Sequence, residues 1–342
     1  MRQPPKISAD RLRACLRDYY HLIPATLDFL PLGQDDQAGV YRMVGEQGTP
    51  YLLKVKSGPL YEPGCLVPGY LREQGITSVV APLPTTSKIL WARAADWTVI
   101  LYPFITGDTS WAGMTAAQWK ETGAIFRQIH QVIPPPLGFD SLRKETFDPT
   151  DYVRWIREYE AQHLQAYGDK NAARRDLRSL WRAHQSTIHM LVTSLETLAV
   201  MLQSRALSYV ICHADLHPAN LLRDEAGRVV VIDWDDVMLA PKERDFIFVQ
   251  EAPADDTTVS SSSSFFQGYG ATDIDWPALT YYRYERIVQD VIAYAAFALF
   301  RNDVDEEARA DAVESFRINL TENGMLAAAE AAASHLRGHS PE

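Results

Sequence analysis

Two stretches of the sequence decide the expected fold: Val210-Ile-Cys-His213-Ala-Asp215-Leu-His-Pro-Ala-Asn220-Leu-Leu and Val229-Val-Val-Ile-Asp233-Trp-Asp235. Each stretch begins with a short apolar run, typical of a buried strand, and polar side chains follow at once. The turn Asp224-Glu-Ala-Gly227 lies between them, so a hairpin is expected to return the second strand beside the loop. This pattern predicts that Asp215, Asn220 and Asp233 meet at the mouth of one site.

The residue types of this trio suit the transfer of a phosphoryl group. A carboxylate must orient the attacking hydroxyl and accept its proton, which is the role expected of Asp215. Asn220 and Asp233 supply hard oxygen ligands without thiolates or clustered imidazoles, so Mg²⁺ fits better than zinc. A lone Asp after a strand is more often a cap or turn residue, but the ordered set is far rarer. His213 is expected to brace the loop by hydrogen bonding rather than to do chemistry.

A lysine in the apolar run Tyr51-Leu-Leu-Lys54-Val predicts a clamp for the phosphates of a nucleotide. Burying an unpaired ammonium group is costly, so Lys54 needs a carboxylate, and Glu62 is the nearest suitable one along the chain. The alternative is that Lys54 lies on the solvent face of its strand, with Lys56 on the same face by period-two alternation.

The segment Ile100-Leu-Tyr102-Pro-Phe104-Ile105-Thr-Gly is predicted to be a nucleotide-binding hinge. Its backbone groups can hydrogen-bond the adenine edge, and Tyr102, Phe104 and Ile105 can enclose the ring. A simple buried linker is the alternative. The phosphate-covering loop is expected upstream of this segment, but Gly33 and Gly39 form only a weak glycine signal.

The secondary-structure pattern of the sequence changes at the hinge. Short β-like runs between glycine- and proline-containing turns precede it, and helical periodicity dominates after it. Residues 1–104 are therefore expected to form an N-terminal nucleotide-binding lobe. Residues 105–342 are expected to form a C-terminal catalytic and substrate-binding lobe.

Individual helices carry recognisable signals. Ser8 is predicted to cap a first helix whose buried face has four residues: Leu12, Cys15, Leu16 and Tyr19. Thr115 and Gln118 have the spacing of a capping box at the start of a second helix. Residues 255–264, which include five consecutive serines, are predicted to form a flexible loop.

Composition limits the possible partners and location. Asp and Glu number 44 against 33 Lys and Arg, a net charge of −11, which argues against a nucleic-acid partner. No apolar stretch reaches the roughly 18 residues that suggest a membrane span, and no secretory signal is visible. The three cysteines form neither a disulfide framework nor a metal-binding pattern, so a cytoplasmic location is expected.

Together these features resemble the aminoglycoside phosphotransferase family, whose bilobal fold is related to that of protein kinases and choline kinases. The residues that carry the resemblance are Lys54, Glu62, the segment 100–107, the loop 213–220 and Asp233. The resemblance implies a protein-kinase-like α+β fold with a small β-rich N-lobe and a larger, mainly helical C-lobe. It also implies that Asp215 is the catalytic base, that Asn220 and Asp233 bind Mg²⁺, and that Asp245 supports the catalytic segment.

A closer resemblance is to the spectinomycin-modifying branch of that family. It rests on four runs: Tyr102-Pro-Phe-Ile, Ile232-Asp-Trp-Asp235, Met238-Leu-Ala-Pro-Lys-Glu-Arg-Asp245 and Tyr282-Arg-Tyr-Glu-Arg-Ile-Val-Gln-Asp290. This resemblance implies ATP and Mg²⁺ as cofactors and a small cationic aminocyclitol, spectinomycin, as the acceptor. The oligomeric state is left open.

An acceptor with protonated amines is expected to contact carboxylates near the catalytic base. Asp235 lies two residues beyond the second acid of the trio and is expected to face the cleft. Glu285 and Asp290, on a predicted helix with apolar neighbours, are the other expected contacts. Internal ion pairs are the alternative, because Arg286 lies four residues before Asp290 and Arg283 lies near Glu285.

Three functions follow from these observations. The first is an ATP-dependent O-phosphotransferase that modifies an aminocyclitol or aminoglycoside antibiotic and so gives resistance. The second is a metabolic kinase of the same fold, acting on choline, homoserine or a sugar alcohol. The third is a nucleotide-binding pseudokinase, although an inactive protein has no physical need for the intact trio.

Overall fold

The computed structural model describes residues 3–33, 37–135, 138–164, 171–249, 261–301, 304–321 and 325–337. The chain forms two compact units, each assembled from separate segments. Unit 1 comprises Met1–Arg143, Val210–Leu239 and Asp255–Ala271, and unit 2 comprises Lys144–Tyr209, Ala240–Ala254 and Thr272–Glu342. The lobe boundary between residues 104 and 105 stays a prediction.

Unit 1 begins with helix α1 (Ala9–Tyr20), which starts where the sequence predicts. The Ser8 hydroxyl accepts a hydrogen bond from the Arg11 N–H at 3.3 Å. The buried face contains Tyr20 rather than the predicted Tyr19, whose side chain is 44% exposed. Tyr20 lies one turn after the buried Leu16, and its hydroxyl donates to the Val99 carbonyl at 3.2 Å, which accounts for the difference.

The N-terminal strands form one antiparallel sheet. In chain order they are β1 (Pro24–Leu30), β2 (Ala38–Gly45), β3 (Pro50–Ser57), β4 (Ala92–Ala94) and β5 (Trp97–Pro103). Their order across the sheet is β1-β2-β3-β5-β4, and each neighbouring pair is antiparallel. Three of them, β2, β3 and β5, coincide with apolar runs of the sequence.

Strand β3 shows why its two lysines share one face. Leu53 and Val55 are fully buried in the core that α1 and the sheet form. Because side chains alternate between the faces of a strand, Lys54 and Lys56 project from the opposite face. The period-two alternative therefore describes where these lysines lie, although both are largely enclosed, at 14% and 19% exposure.

Helix α2 (Pro63–Glu73) follows the sheet's third strand and contains Pro68 in its interior. Proline disfavours a helix interior, but the buried Cys65, Val67 and Leu71 hold this helix in place. After α2, Val79 forms an isolated parallel bridge with Val231.

The remaining strands of unit 1 surround the predicted catalytic loop. They are β6 (Gly107–Asp108), β7 (Val210–Cys212), β8 (Leu221–Asp224), β9 (Val229–Val231) and β10 (Met238–Ala240). Strands β6, β8 and β9 form a three-stranded sheet, and β7 pairs with β10. The hairpin that the sequence predicts is therefore β8–β9.

Two helices complete unit 1, namely α3 (Ala116–Gln131) and α6 (Ser261–Tyr269). Both hydrogen bonds of the predicted capping box between Thr115 and Gln118 are present at the start of α3. Residues 255–260 of the predicted flexible loop lie outside the described residues. Residues 261–264 are helical instead, so for that part the prediction is wrong; Ser264 and Phe265 are buried there.

Unit 2 is helical. Its helices in the described residues are α4 (Thr150–Gln162), α5 (Ala172–Gln203), α7 (Trp276–Phe300), α8 (Glu306–Asn319) and α9 (Met325–Arg337), and it also contains a short 3₁₀ turn at Lys242–Phe246. Large aromatic residues fill the core, and Trp181, Tyr281, Tyr282 and Phe316 are fully buried. In the part of the chain that the structure describes, no helix is both long and apolar enough to cross a bilayer.

Candidate active site

The loop between β7 and β8 is held by His213, whose side chain is fully buried. The Asp215 N–H donates to His213 Nδ1 at 3.3 Å, so the ring proton lies on Nε2, which donates to the Ile232 carbonyl at 2.9 Å. Trp234 packs edge-on against the same ring at 4.8 Å. His213 therefore links the backbone at Asp215 to the end of β9.

Asn220 orients the carboxylate of Asp215. Its Nδ2 lies 2.9 Å from the Asp215 carbonyl and 3.3 Å from Asp215 Oδ2. The amide ends a 3₁₀ turn, Pro218–Asn220, and is buried, whereas the Asp215 side chain remains 24% exposed. Both contacts use the amide nitrogen, which leaves the Asn220 carbonyl oxygen Oδ1 as a ligand atom.

The backbone is strained at two points of this site. Ala214 and Asp233 have φ angles of 71° and 59°, in the left-handed region that residues with a Cβ rarely occupy. Such conformations cost of order 1–3 kcal/mol each and persist where surrounding contacts enforce them. They lie next to Asp215 and at Asp233, two of the residues to which the sequence assigns chemistry.

Two lysines of β3 meet two carboxylates beyond β9. Lys54 Nζ lies 2.8 Å from Asp233 Oδ1 and 2.9 Å from Asp235 Oδ2, and Lys56 Nζ lies 2.7 Å from Asp235 Oδ2. We call these four residues the lysine–aspartate cluster. Burial alone would raise the pKa of Asp235, but Lys54 and Lys56 outweigh it and lower that pKa. The two carboxylates likewise raise the pKa of Lys54 against the effect of burial.

The predicted ion pair between Lys54 and Glu62 is not found among the described residues, where Lys54 pairs with Asp233 and Asp235 instead. Glu62 is exposed and directly precedes α2. At Gly64, an added Cβ would lie only 3.2 Å from the Trp234 carbonyl oxygen, so the first turn of α2 packs closely against the backbone at Asp235. The partner Asp233 lies 179 residues from Lys54 along the chain, so choosing the nearest carboxylate in the sequence could not identify it.

The predicted hinge residues lie at and after the end of β5. Tyr102 pairs in register with Leu52 on β3, and burial, Cys65 and Asp235 all raise its pKa. The Arg42 guanidinium lies over the Phe104 ring at 5.3 Å, and Ile105 is half-buried between β5 and β6. The role of these residues in binding adenine stays a prediction.

The predicted acceptor acids Glu285 and Asp290 form ion pairs within unit 2. Glu285 pairs with Arg244, and Asp290 Oδ1 lies 3.1 Å from Arg286 Nε. Of the internal ion pairs considered as the alternative, the pair between Arg286 and Asp290 is thus present.

The sequence argument chose the wrong partner for Glu285, because residues two apart on a helix do not face each other. Arg283 donates instead to the carbonyls of Ile247, Val249 and Ala328. Asp245, the predicted structural support, is fully buried in the 3₁₀ turn of unit 2.

Sequence reasoning missed several residues around the site. Lys56 as a second partner of Asp235 could have been found, since its spacing from Lys54 already places both on one face. Arg143 carries no such signal, yet it donates to the Asp235 carbonyl at 3.0 Å and stacks over Tyr61 at 4.2 Å. Trp111 was not predicted as a site residue either, although its ring stacks on His217.

Fold and site together define a small-molecule kinase with a protein-kinase-like α+β fold. Residues 28–282 match the model of the phosphotransferase enzyme family, and the chain belongs to that family. No curated protein sequence matches the chain.

Solved structures add detail to this assignment. A crystal structure of spectinomycin phosphotransferase, APH(9)-Ia, in complex with ADP and spectinomycin is 29% identical, with a TM-score of 0.84, and the match covers 96% of this chain and 99% of that one. The AMP-bound complex of the same enzyme gives 28% identity and a TM-score of 0.80 over 95% and 99% of the two chains. An aminoglycoside phosphotransferase from Alicyclobacillus acidocaldarius, at 16% identity and a TM-score of 0.59 over 98% of both chains, shares the fold alone.

Proposed function

We propose that this protein is an ATP- and Mg²⁺-dependent O-phosphotransferase that transfers the γ-phosphate to a hydroxyl of spectinomycin. The observation that carries the proposal is the geometry of Asp215, which Asn220 and His213 orient from two sides. The similarity to a spectinomycin phosphotransferase at 29% identity over nearly the full length of both chains supports the acceptor.

Asp215 acts as the general base. Its carboxylate is partly exposed and fixed by the Asn220 amide, so it can accept a proton from an acceptor hydroxyl while that oxygen attacks phosphorus. Orientation matters here, because proton transfer requires a heavy-atom distance within hydrogen-bonding range.

Asn220 and Asp233 fit Mg²⁺. The Asn220 amide nitrogen points to Asp215, which leaves its Oδ1 for a cation, and the Asp233 side chain is 49% exposed. These hard oxygen donors are the ligands that Mg²⁺ prefers. When bound, the ion would neutralise charge on the nucleotide phosphates.

The lysine–aspartate cluster supplies the phosphate clamp. Lys54 and Lys56 contact carboxylates that are themselves 32–49% exposed, and these carboxylates raise the pKa of Lys54. Phosphate oxygens can therefore replace carboxylate oxygens as partners of the ammonium groups. Glu62, Tyr102, Phe104 and Ile105 remain the proposed surroundings of the rest of the nucleotide.

The acids proposed for the acceptor differ in their partners and exposure. Asp235 is engaged by two lysines, which favours a role on the nucleotide side over its proposed contact with the acceptor. Asp290 keeps a 19% exposed side chain beside Arg286, whereas Glu285 is only 8% exposed. Of the two helix acids, Asp290 is thus the better candidate for an amine of the acceptor.

We also propose a cytoplasmic location. Cys15, Cys65 and Cys212 are all buried free thiols, which suits a reducing compartment.

The proposal is tested with the purified protein, ATP, Mg²⁺ and a panel of acceptors, with phosphorylated product identified by mass spectrometry. Transfer to spectinomycin, and none to kanamycin-type aminoglycosides, is the expected result. Transfer only to choline, homoserine or a sugar alcohol would replace the proposal with a metabolic kinase. Nucleotide binding without any transfer would indicate a pseudokinase.

A further inference from the structure

We propose that Trp111 is the platform on which the acceptor ring stacks, which makes it a specificity-determining residue of this enzyme. The inference rests on the proposed function and deepens it. The ligand chemistry is a saturated ring with an apolar C–H face and a protonated secondary amine.

The position of Trp111 beside the catalytic base is the first observation. Its ring stacks on His217 with centroids 5.0 Å apart and an interplanar angle of 29°. His217 Nε2 in turn lies 3.3 Å from Asp215 Oδ2. A single ring therefore separates the indole from the carboxylate that receives the proton of the acceptor.

The exposure of Trp111 is the second observation. Its side chain remains 59% exposed although it stacks on His217. Single exposed apolar residues are common and need no explanation by themselves. Here the exposed indole stacks on the ring that contacts the reacting carboxylate, where a ligand can cover it.

The segment that carries Trp111 is held by a buried arginine. Arg223, whose side chain is 5% exposed, donates to Asp108 Oδ2 at 2.6 Å and to both the carbonyl and the hydroxyl of Ser110 at 2.9 Å. The Ser110 N–H donates to Asp108 Oδ1 at 2.8 Å. A Cβ at Gly107 would collide with the Arg223 carbonyl oxygen, so only glycine allows this close pairing of β6 with β8.

This anchoring links Trp111 to the catalytic loop. Arg223 lies on β8, the strand that begins directly after Asn220. The same strand therefore fixes the amide that orients Asp215 and the turn that precedes Trp111. A preorganised indole loses little conformational entropy when a ligand stacks on it.

The chemistry of the indole matches the proposed acceptor. Tryptophan offers the best aromatic face for a cation, because its ring quadrupole attracts a protonated amine placed over it. The C–H face of a saturated ring packs against the same surface and is removed from water.

Steady-state kinetics of Trp111→Ala and Trp111→Phe test this role, with Tyr19→Ala on α1 as the matched control. Tyr19 is an aromatic side chain of unit 1 that is 44% exposed. For Trp111→Ala we expect the KM for spectinomycin to rise about 5- to 30-fold, which corresponds to about 1–2 kcal/mol. The KM for ATP and kcat should stay within about threefold, and Trp111→Phe should recover most of the loss. Tyr19→Ala should match the wild type.

The outcomes separate this inference from the function on which it rests. Wild-type transfer to spectinomycin, with an unchanged spectinomycin KM in Trp111→Ala, would overturn the platform alone. An equal rise in both KM values, or no recovery in Trp111→Phe, would also overturn it, because either result indicates a structural role. A wild-type enzyme that phosphorylates no acceptor of the panel would overturn the proposed function and this inference with it.

Discussion

The lysine–aspartate cluster of unit 1 and the Arg244–Glu285 pair of unit 2 both join cationic and anionic side chains, but they differ in how the partners are shared and exposed. In the cluster, two ammonium groups share two carboxylates that are 32% and 49% exposed, and Asp233 has a strained backbone. In the pair, one guanidinium meets one carboxylate, and the side chains are only 13% and 8% exposed. Shared and exposed partners can be exchanged for those of a ligand, whereas a buried one-to-one pair holds the structure.

The surroundings of Arg244 and Glu285 strengthen this contrast. The Arg244 guanidinium lies 5.1 Å from the centre of the Tyr282 ring, and the Tyr281 hydroxyl is 3.5 Å from Glu285 Oε1. Burial raises the pKa of Glu285, although Arg244 opposes the rise. The pair therefore lies where an unpartnered charge would be costly.

Removing one partner of the buried pair is expected to have the largest effect on stability. Arg244→Ala leaves the Glu285 carboxylate buried without its cation, which should lower the free energy of unfolding by about 3–5 kcal/mol in urea titrations. The double variant Arg244→Met/Glu285→Leu should regain most of this loss, because no buried charge remains. A loss below about 1 kcal/mol for Arg244→Ala would mean that the pair is no more structural than a surface ion pair.

Lys54→Met tests the lysine–aspartate cluster of the comparison. The variant removes a phosphate clamp rather than a structural pair, so the KM for ATP should rise roughly 100-fold. The urea midpoint should stay close to that of the wild type. Lys56→Met is the matched variant on the same face and should show a smaller rise, since Lys54 contacts both acids and Lys56 contacts Asp235. A loss of unfolding free energy in Lys54→Met as large as that in Arg244→Ala would contradict the distinction between the two regions.

Asp235→Asn separates the two roles considered for this acid. Its contacts with Lys54 and Lys56 predict a rise of about tenfold in the KM for ATP, with the spectinomycin KM nearly unchanged. The role inferred from sequence predicts the reverse. Initial rates with each substrate varied in turn decide between them, and equal effects would remove Asp235 from both roles.

The smallest expected effect is a pH dependence of stability at Glu285. Its pKa is raised in the folded protein, so the folded state holds the proton more tightly than the unfolded state. The contribution of Glu285 is therefore fully present below its unfolded pKa and falls as pH rises through the folded pKa. Glu285→Gln should lack this loss, so the unfolding free energy of the wild type relative to that of the variant should fall as pH rises above about 4, near the unfolded pKa of a glutamate. A difference that is constant with pH would contradict the raised pKa.

The parts of the fold that depend on local signals could be predicted from the sequence. Caps at Ser8 and Thr115 mark helix starts because a side chain satisfies a nearby backbone N–H. Period-two alternation placed Lys54 and Lys56 on one face of a strand. The helix at Ser261–Tyr269 could not be foreseen, because serine favours loops by itself and only tertiary packing makes this run helical.

The residues of the site likewise divide into those that local chain geometry brings together and those whose contacts depend on the tertiary fold. Asp215, Asn220 and Asp233 lie within one strand–loop–hairpin unit, so their meeting follows from local chain geometry. The partner of Lys54 depends on a fold that joins segments 179 residues apart, and the sequence argument chose the nearer Glu62. The Arg223–Asp108 contact spans 115 residues and was missed for the same reason.

The most direct test of the central claim is the single-turnover rate of phosphate transfer from ATP to spectinomycin in wild type and Asp215→Ala. With enzyme in excess and Mg²⁺ present, the variant should bind ATP within a few-fold of the wild type. Its transfer rate should fall roughly 10²–10⁴-fold, because the base that accepts the hydroxyl proton is gone. A transfer rate that stays near the wild-type value would contradict the account and remove Asp215 from catalysis.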